Sequence, residues 1–148
     1  MEADERKKQI RQAAMKVFLD KGFRNTVMND IMEATGLSRG GLYHHYSSTY
    51  EILYEIMIDG NKDRKQILEK SILTNKNMQY DELFAEMVVE KMIAKNEFIS
   101  IYAFFLEEMK YDKKLEELYK NLKDNFIEEI VNLLKKTRYL HRIDNKAT

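Results

Sequence analysis

Cysteine and proline are absent from this 148-residue chain, and glycine occurs only five times. Without cysteine there is no disulfide framework, no cysteine-ligated zinc site and no thiol nucleophile, as is usual for a protein of the reducing cytosol. No stretch approaches the roughly 18–20 apolar residues of a membrane span, and residues 1–12 lack the apolar core of a signal peptide. We therefore expect a soluble, cytoplasmic protein that does not enter a membrane.

Charge of one sign is also lacking, because 25 basic side chains balance 25 acidic ones. This balance argues against a generally basic coat for nucleic acid. Residues 1–50 carry eight basic and six acidic side chains, whereas residues 51–148 carry 17 and 19. The small basic excess at the N-terminus permits a local DNA-facing surface but does not demand one.

Helical periodicity dominates the chain, and strand signals are few, so we predict an all-α fold. The first helix has apolar residues at i, i+3, i+4, i+7 and i+8 from Ile10 and should end at Gly22. A short helix capped by Thr26 should follow and end at Gly36. Ser38 should then cap another short helix, from Arg39 to about His45.

A long helix should begin at Ser48, which with Glu51 has the sequence of a capping box, and should reach about Leu73. Gly60 weakens its polar middle, yet nothing there predicts a break. Residues 74–80 are predicted to form a loop, followed by helices over about 80–95, 97–109 and 112–136. The tail from Thr137 onward is polar and without pattern.

The segment from Thr26 to Leu53 predicts a helix-turn-helix, over about residues 27–46, whose second helix could enter a DNA major groove. Two adjacent glycines weaken that helix, so a close approach to another backbone or a base edge should compensate. Arg39 can bond guanine with two hydrogen bonds, and the neighbouring aromatic side chains can donate to phosphates or base edges. These aromatic residues are Tyr43, His44 and His45.

Over roughly residues 4–64 the sequence closely resembles the TetR family of bacterial transcriptional regulators. The matching residues are Ile10, Ala13-Ala14, Phe18, Gly22-Phe23, Thr26, Ile31, Ala34, Gly36-Leu37-Ser38, Gly40, Leu42-Tyr43, His45-Tyr46, Ser48 and Glu51 to Leu53. The resemblance implies a three-helix DNA-binding head (residues 4–64) joined by a long helix to a helical effector-binding and dimerisation body (residues 65–148). That body looks short at its C-terminus, because the helices that usually form the family's dimer would lie beyond Thr137.

The resemblance also implies which residues of the head would touch DNA. Bases would be read near Gly40 by Arg39, Gly41 and His44. Phosphates would be held or supported by Thr26, Val27, Tyr43, His45 and Thr49. Two of these residues depart from the family pattern: Val27 replaces a hydroxyl residue, and Thr49 replaces a lysine that grips phosphate. A third departure is Met32, which replaces a common alanine. The first two changes should weaken binding to any DNA.

Aromatic residues and methionines are frequent in the second half, where they are either core or the lining of an apolar cavity. The resemblance implies an inducer cavity among these helices, and the candidates for its lining are Phe84, Met87, Met92, Phe98, Tyr102, Phe105, Met109, Tyr119 and Phe126. The expected effector is a small apolar molecule. A cationic one would require an inward carboxylate from Glu90, Glu107 or Glu108. An apolar stripe from Leu115 to Leu133 could pack inside the body or against a partner.

Taken together, these features predict a repressor that small-molecule binding releases from a pseudo-palindromic operator, acting as a homodimer. An activator would have the same sequence features. The alternative is a truncated or degenerate helical protein that does not bind DNA alone and acts through heterodimerisation. The chain shows no convincing catalytic constellation, and we expect no enzyme activity, no cofactor and no metal site. In particular, His44 and His45 point about 100° apart on a helix and have no carboxylate at a ligand spacing.

Overall fold

The computed structural model describes residues 2–74 and 97–136, together with positions 79, 82, 85, 86 and 89. Residues 2–74 and 97–136 contain six helices and no strand: α1 (Glu2–Lys21), α2 (Met28–Thr35), α3 (Arg39–His45), α4 (Thr49–Thr74), α5 (Glu97–Glu108) and α6 (Lys113–Lys135). The prediction of an all-α fold is confirmed. Most of the predicted helix over 80–95, most of the predicted loop over 74–80 and the tail from Thr137 lie outside the described residues; positions 82, 85, 86 and 89 are helical, as predicted. None of the described helices combines the length and apolar character needed to cross a membrane.

Two glycines end helices as predicted, because each adopts a left-handed backbone that a Cβ atom would strain. Gly22 follows α1 with φ of 85°, and Gly36 follows α2 with φ of 68°. The amide of Gly36 donates to the carbonyl of Met32, which closes the last turn of α2. The turn between α2 and α3 is therefore set by Gly36.

The predicted cap of α3 is confirmed, while the capping box of α4 differs in part. Ser38 Oγ accepts a hydrogen bond from the amide of Gly41 at 3.1 Å. At the next helix Ser48 Oγ accepts from the amide of Glu51 at 3.2 Å. The Glu51 carboxylate, however, accepts from the amide and hydroxyl of Ser47, at 2.7 and 2.8 Å, one residue earlier than a capping box requires. It thereby secures the connection between α3 and α4.

The prediction that Thr26 caps α2 is wrong. The residue at the cap position is Val27, whose side chain has no acceptor. The carboxylate of Asp30 instead accepts from the Val27 amide at 2.8 Å. Thr26 is buried, and its hydroxyl donates to the carbonyl of Gly22 at 2.8 Å. Its side chain therefore closes the turn after α1 and does not start α2.

The chain divides into two compact units that do not follow the linear order of the residues. The first comprises residues 1–59 and 96–119, and the second comprises residues 60–95 and 120–148. The second half of α4 and of α6 thus belong to one unit, where Leu68 and Ile72 are buried against Ile130, Leu133 and Leu134. Gly60 is buried within the unbroken helix α4.

In the first unit α1 packs against both α2 and α5. Its core consists of large apolar side chains with at most 1% exposure, and each contributes roughly 1.5–3 kcal/mol through burial. They come from all the helices of the unit: Ile10, Phe18, Ile31, Leu42, Ile52, Leu53, Ile56, Ile101, Phe105 and Leu115. The short helices α2 and α3 are held by this core, because helices of eight and seven residues are unstable alone.

A polar network fixes the end of α3 between α1 and α4. Tyr46, which caps α3 and is 1% exposed, donates its hydroxyl hydrogen to Glu55 at 2.6 Å and accepts from Arg11 at 3.0 Å. Arg11 also donates to Glu55 at 3.0 Å and to Asp59 at 2.6 Å, and Lys7 pairs with Glu55 at 2.9 Å. The direction of α3 is thus set by bonds to two long helices.

The ionised form of Glu55 is favoured in the folded protein. Burial alone would raise its pKa, but hydrogen bonds from Tyr46 and Lys7, with the charges of Lys7 and Arg11, hold the pKa below its ordinary value of 4.5. A carboxylate with a lowered folded-state pKa stabilises the fold above its unfolded-state pKa. That contribution is lost as the pH falls through the folded-state value.

We therefore expect Glu55→Gln to lower the free energy of unfolding at neutral pH by about 1–3 kcal/mol, because the amide cannot replace the charge. The difference from wild type should shrink as the pH falls below 4.5 and through the lowered pKa of Glu55. Urea unfolding followed by circular dichroism between pH 3 and pH 7 measures both. Glu5→Gln, on the exposed face of α1, is the matched control and should not differ from wild type. A difference that is constant with pH would contradict this account.

Candidate nucleic-acid interface

Helix α3 has one inner side chain and an outer face made of polar and aromatic groups. Leu42 is fully buried beneath it, whereas Arg39, Tyr43 and His44 are exposed. The Arg39 guanidinium lies 5.6 Å from the centre of the Tyr43 ring, one helical turn away. Within the described residues no carboxylate lies in ion-pair distance of Arg39. A guanidinium stacked on a ring and not neutralised by an acid is well suited to bond a base edge.

The two glycines of α3 have different surroundings. A Cβ atom at Gly41 would lie 3.2 Å from Ser38 Oγ, which is tight, so the cap of α3 explains this glycine. A Cβ atom at Gly40 would have nothing of this chain within 4 Å. Packing within the protein therefore gives no reason for glycine at position 40, which lies on the outer face beside Arg39. A surface approached closely by another molecule would supply one.

The two histidines at the end of α3 stack on each other, with ring centres 5.1 Å apart. His44 is exposed and His45 half-buried. Burial, followed by the positive charges of His44, Lys7 and Arg6, lowers the pKa of His45 below its usual value. These influences favour the neutral imidazole, which can donate only one hydrogen bond. In the part of the chain that the structure describes, no three His, Asp or Glu side chains converge as metal ligands.

The residues expected at phosphates border α3 at the starts of α2 and α4. Val27 is 57% exposed just before α2, and Thr49 is the first residue of α4. Thr26 lies beside Val27, but its only hydroxyl hydrogen is used by the Gly22 carbonyl. The cations Lys7 and Arg11 of α1 are paired with acids and contribute little net charge here. Arg39 is the cation that α3 itself contributes to this surface.

The residues proposed for an effector cavity are only partly described, since Phe84, Met87 and Met92 lie outside the described residues. Phe105 is fully buried in the first unit, with its ring centre 6.2 Å from that of Tyr119. In the second unit the guanidinium of Arg64 lies 5.4 Å from the ring centre of Phe126. The other candidates, Phe98, Tyr102 and Met109, are half-buried on α5 and just after it.

Two of the carboxylates considered for a cationic effector are engaged elsewhere, and the third, Glu90, lies outside the described residues. Glu108 pairs with Arg24 at 2.8 Å, and Glu107 pairs with Lys110 at 2.5 Å on the surface. The apolar stripe of α6 is buried at Leu115 and Leu122, while Ile127 next to it is 52% exposed. Neither Glu107 nor Glu108 is therefore left unpaired for a cationic effector.

Residues 10–56 match the sequence model of the tetR family of bacterial regulatory proteins. The chain is 43% identical to YfiR, an HTH-type transcriptional regulator of Bacillus subtilis, over 68 residues that make up 46% of this chain and 33% of YfiR. It is 33% identical to the HTH-type transcriptional repressor KstR2 of Mycolicibacterium smegmatis over 54 residues, which are 36% of this chain and 26% of KstR2.

The fold is similar to that of GusR from Salmonella enterica, with a TM-score of 0.69 and 19% identity over 85% of this chain and 64% of GusR. These matches span a third or less of the length of the two curated relatives. The family match covers α2 and α3 entirely and takes in the parts of α1 and α4 that hold them. Over residues 10–56, the chain is therefore similar to the tetR family of bacterial regulatory proteins.

Proposed function

We propose that this protein is a sequence-specific, DNA-binding transcriptional regulator that acts as a repressor. The observation that carries the proposal is the outer face of α3. There Arg39 is stacked on Tyr43, has no acid partner among the described residues, and adjoins a glycine that the protein's own packing does not require. A glycine on this face lowers the stability of the helix, and an unpaired guanidinium there is available to bind another molecule.

In this proposal α3 lies in the major groove, where Arg39 donates two hydrogen bonds to a guanine. Tyr43 and the amides at the starts of α2 and α4 bind phosphates on either side and fix the register of the helix. Two copies related by a two-fold axis would place their α3 helices about 34–36 Å apart, so the operator is a pseudo-palindrome.

Release by a small apolar effector extends the same proposal. The effector would bind more tightly to a state in which the two α3 helices have a different spacing. The ratio of its affinities for the two states then limits how far it lowers operator affinity. We place this regulator in the bacterial cytoplasm, where its operator is. The family resemblance and the apolar character of α5 support regulation by such an effector. A ligand screen would identify it.

The test of the function is selection of fragments of the source genome by the purified chain at near-physiological salt, followed by sequencing. Enrichment of a pseudo-palindromic site supports the proposal and supplies the operator duplex for the measurements below. Uniform recovery of all sequences, or recovery of none, would overturn it. A mass measurement of the same sample then tests the alternative, a protein that acts only as a heterodimer. A strict monomer would favour that alternative.

Arg39→Ala should weaken binding to the selected operator by about 10–100-fold and relax the preference at one base pair in each half-site. The physical reason is loss of a two-bond contact to one base. Fluorescence anisotropy with the operator and with single-base variants measures both effects. Lys120→Ala, which removes an exposed cation from α6, is the control. An equal loss of affinity for every duplex would show that Arg39 contacts a phosphate.

Gly40→Ala should leave the free energy of unfolding unchanged or raise it by up to about 1 kcal/mol, because alanine favours the helix. The same change should lower operator affinity roughly tenfold, because the added methyl group occupies space that DNA needs. Urea unfolding and operator binding, measured on one preparation, separate the two effects. Gly41→Ala is the contrast, since its Cβ meets Ser38 and should also lower stability. Undiminished binding by Gly40→Ala would place DNA elsewhere.

Thr49→Lys should strengthen binding to every duplex, because it adds a cation at the first residue of α4. The plot of log affinity against log salt should steepen by about one unit, as expected for one added phosphate contact. Binding titrations at four salt concentrations measure the slope. Weaker binding, or an unchanged slope, would contradict the placement of this helix start at the DNA backbone.

A further inference from the structure

The turn between α5 and α6 contacts the head at two points close to the proposed DNA surface. Glu108 pairs with Arg24, whose guanidinium also lies 4.9 Å from the ring centre of Tyr111. On the other side Tyr50, in the first turn of α4, donates its hydroxyl hydrogen to Asp112 at 2.5 Å. Arg24 precedes Thr26 by two residues, and Tyr50 directly follows Thr49. The turn therefore touches both segments that lead into the proposed phosphate contacts.

Asp112 has two tasks, one for each carboxylate oxygen. Its Oδ1 accepts from the amides of Lys114 at 2.9 Å and Leu115 at 3.3 Å, which caps the start of α6. Its Oδ2 accepts from Tyr50. One side chain thus joins the first turn of α6 to the first turn of α4. The hydrogen bond from Tyr50, opposed by burial and assisted by the two amides, lowers the pKa of Asp112, so the carboxylate is charged at neutral pH.

The ring of Tyr50 is itself held in place. Its edge packs against Phe23 with the ring centres 4.9 Å apart, and Phe23 packs against Phe18 of the core. The ammonium group of Lys114 lies 4.2 Å from the centre of the Tyr50 ring. Because these contacts hold the half-buried ring, we expect a displacement of Asp112 to shift Tyr50 and the first turn of α4 with it.

We propose that Asp112 is a positioning residue for DNA binding, which acts through Tyr50 to hold the first turn of α4 in its DNA-binding position. This inference rests on the proposed function and adds a determinant that lies outside the helix-turn-helix. Operator affinity then depends on the turn between α5 and α6. By linkage, operator binding stabilises that turn to the same extent.

Two substitutions break the link and leave the caps intact. Tyr50→Phe removes only the hydroxyl group and keeps the ring against Phe23 and Lys114. Asp112→Ser keeps an acceptor for the start of α6, since serine caps helices as well as aspartate, but is too short to reach Tyr50. Asp112→Asn is the conservative variant, because its oxygen can cap α6 while its amide donates to the Tyr50 hydroxyl oxygen.

The expected result is a loss of operator affinity of about fivefold for Tyr50→Phe and for Asp112→Ser, which is the size of one hydrogen bond. The double variant should lose no more than either single variant, because both act through one bond. The salt dependence should stay at the wild-type slope, since no phosphate contact is removed. Asp112→Asn should restore most of the affinity. Glu107→Gln, which breaks an exposed ion pair with Lys110 near the same turn, is the control and should bind as wild type does.

Amide hydrogen exchange supplies a readout that a purely structural role would not move. Operator DNA should slow exchange at Lys114 and Leu115 in wild type and leave it unchanged in Tyr50→Phe. Wild-type affinity in Tyr50→Phe and Asp112→Ser, or an equal loss in Glu107→Gln, would overturn the inference and leave the proposed function standing. Failure of the wild-type chain to bind any duplex would overturn both.

Discussion

The hydroxyl group of Tyr46 is the point on which the geometry of the proposed reading helix depends. Helix α3 has seven residues, two of them glycine, and could not persist alone. Leu42 holds its middle in the core, and Tyr46 holds its end through Arg11 and Glu55 on two long helices. Because the inner side and the end provide the stability, the outer face is available for chemistry that folding does not favour. The head thus separates the residues that fold it from those proposed to read DNA.

The charged side chains also divide into those that stabilise the head and those proposed to contact DNA. The acids Glu55 and Asp59 neutralise Lys7 and Arg11 inside the head, whereas Arg39 meets no carboxylate among the described residues. A surface with few cations binds DNA of any sequence weakly, because nonspecific affinity grows with the number of phosphates neutralised. Affinity must then come from accurate placement of a few contacts. This makes the positions of helix starts, such as the first turn of α4, more important than they would be on a strongly basic surface.

The sequence predicted the features that depend on neighbours along the chain. Gly22 and Gly36 as helix ends and Ser38 as the cap of α3 are confirmed, because each rests on backbone conformation within one turn. Thr26 is the predicted cap of α2, but Val27 occupies the cap position, and the Asp30 carboxylate accepts from the Val27 amide, which is the reciprocal bond of a capping box. The contact of Tyr50 with Asp112 joins residues that are 62 apart in the sequence, and no local sequence pattern predicts it.

Gly40 and Gly41 show how far a single sequence can separate folding from function. From the sequence alone, the two adjacent glycines both weaken a short helix, and both suggest a close approach to another backbone or a base edge. In the fold only Gly41 is required, because a Cβ atom there would meet Ser38 Oγ at 3.2 Å. Gly40 has open space before it, so alanine at that position would satisfy every contact within the described protein and favour the helix. A glycine that weakens a helix, and that no contact within the protein requires, indicates a constraint from a bound molecule. At position 40, next to the unneutralised Arg39, that constraint fits the backbone or base edge of bound DNA.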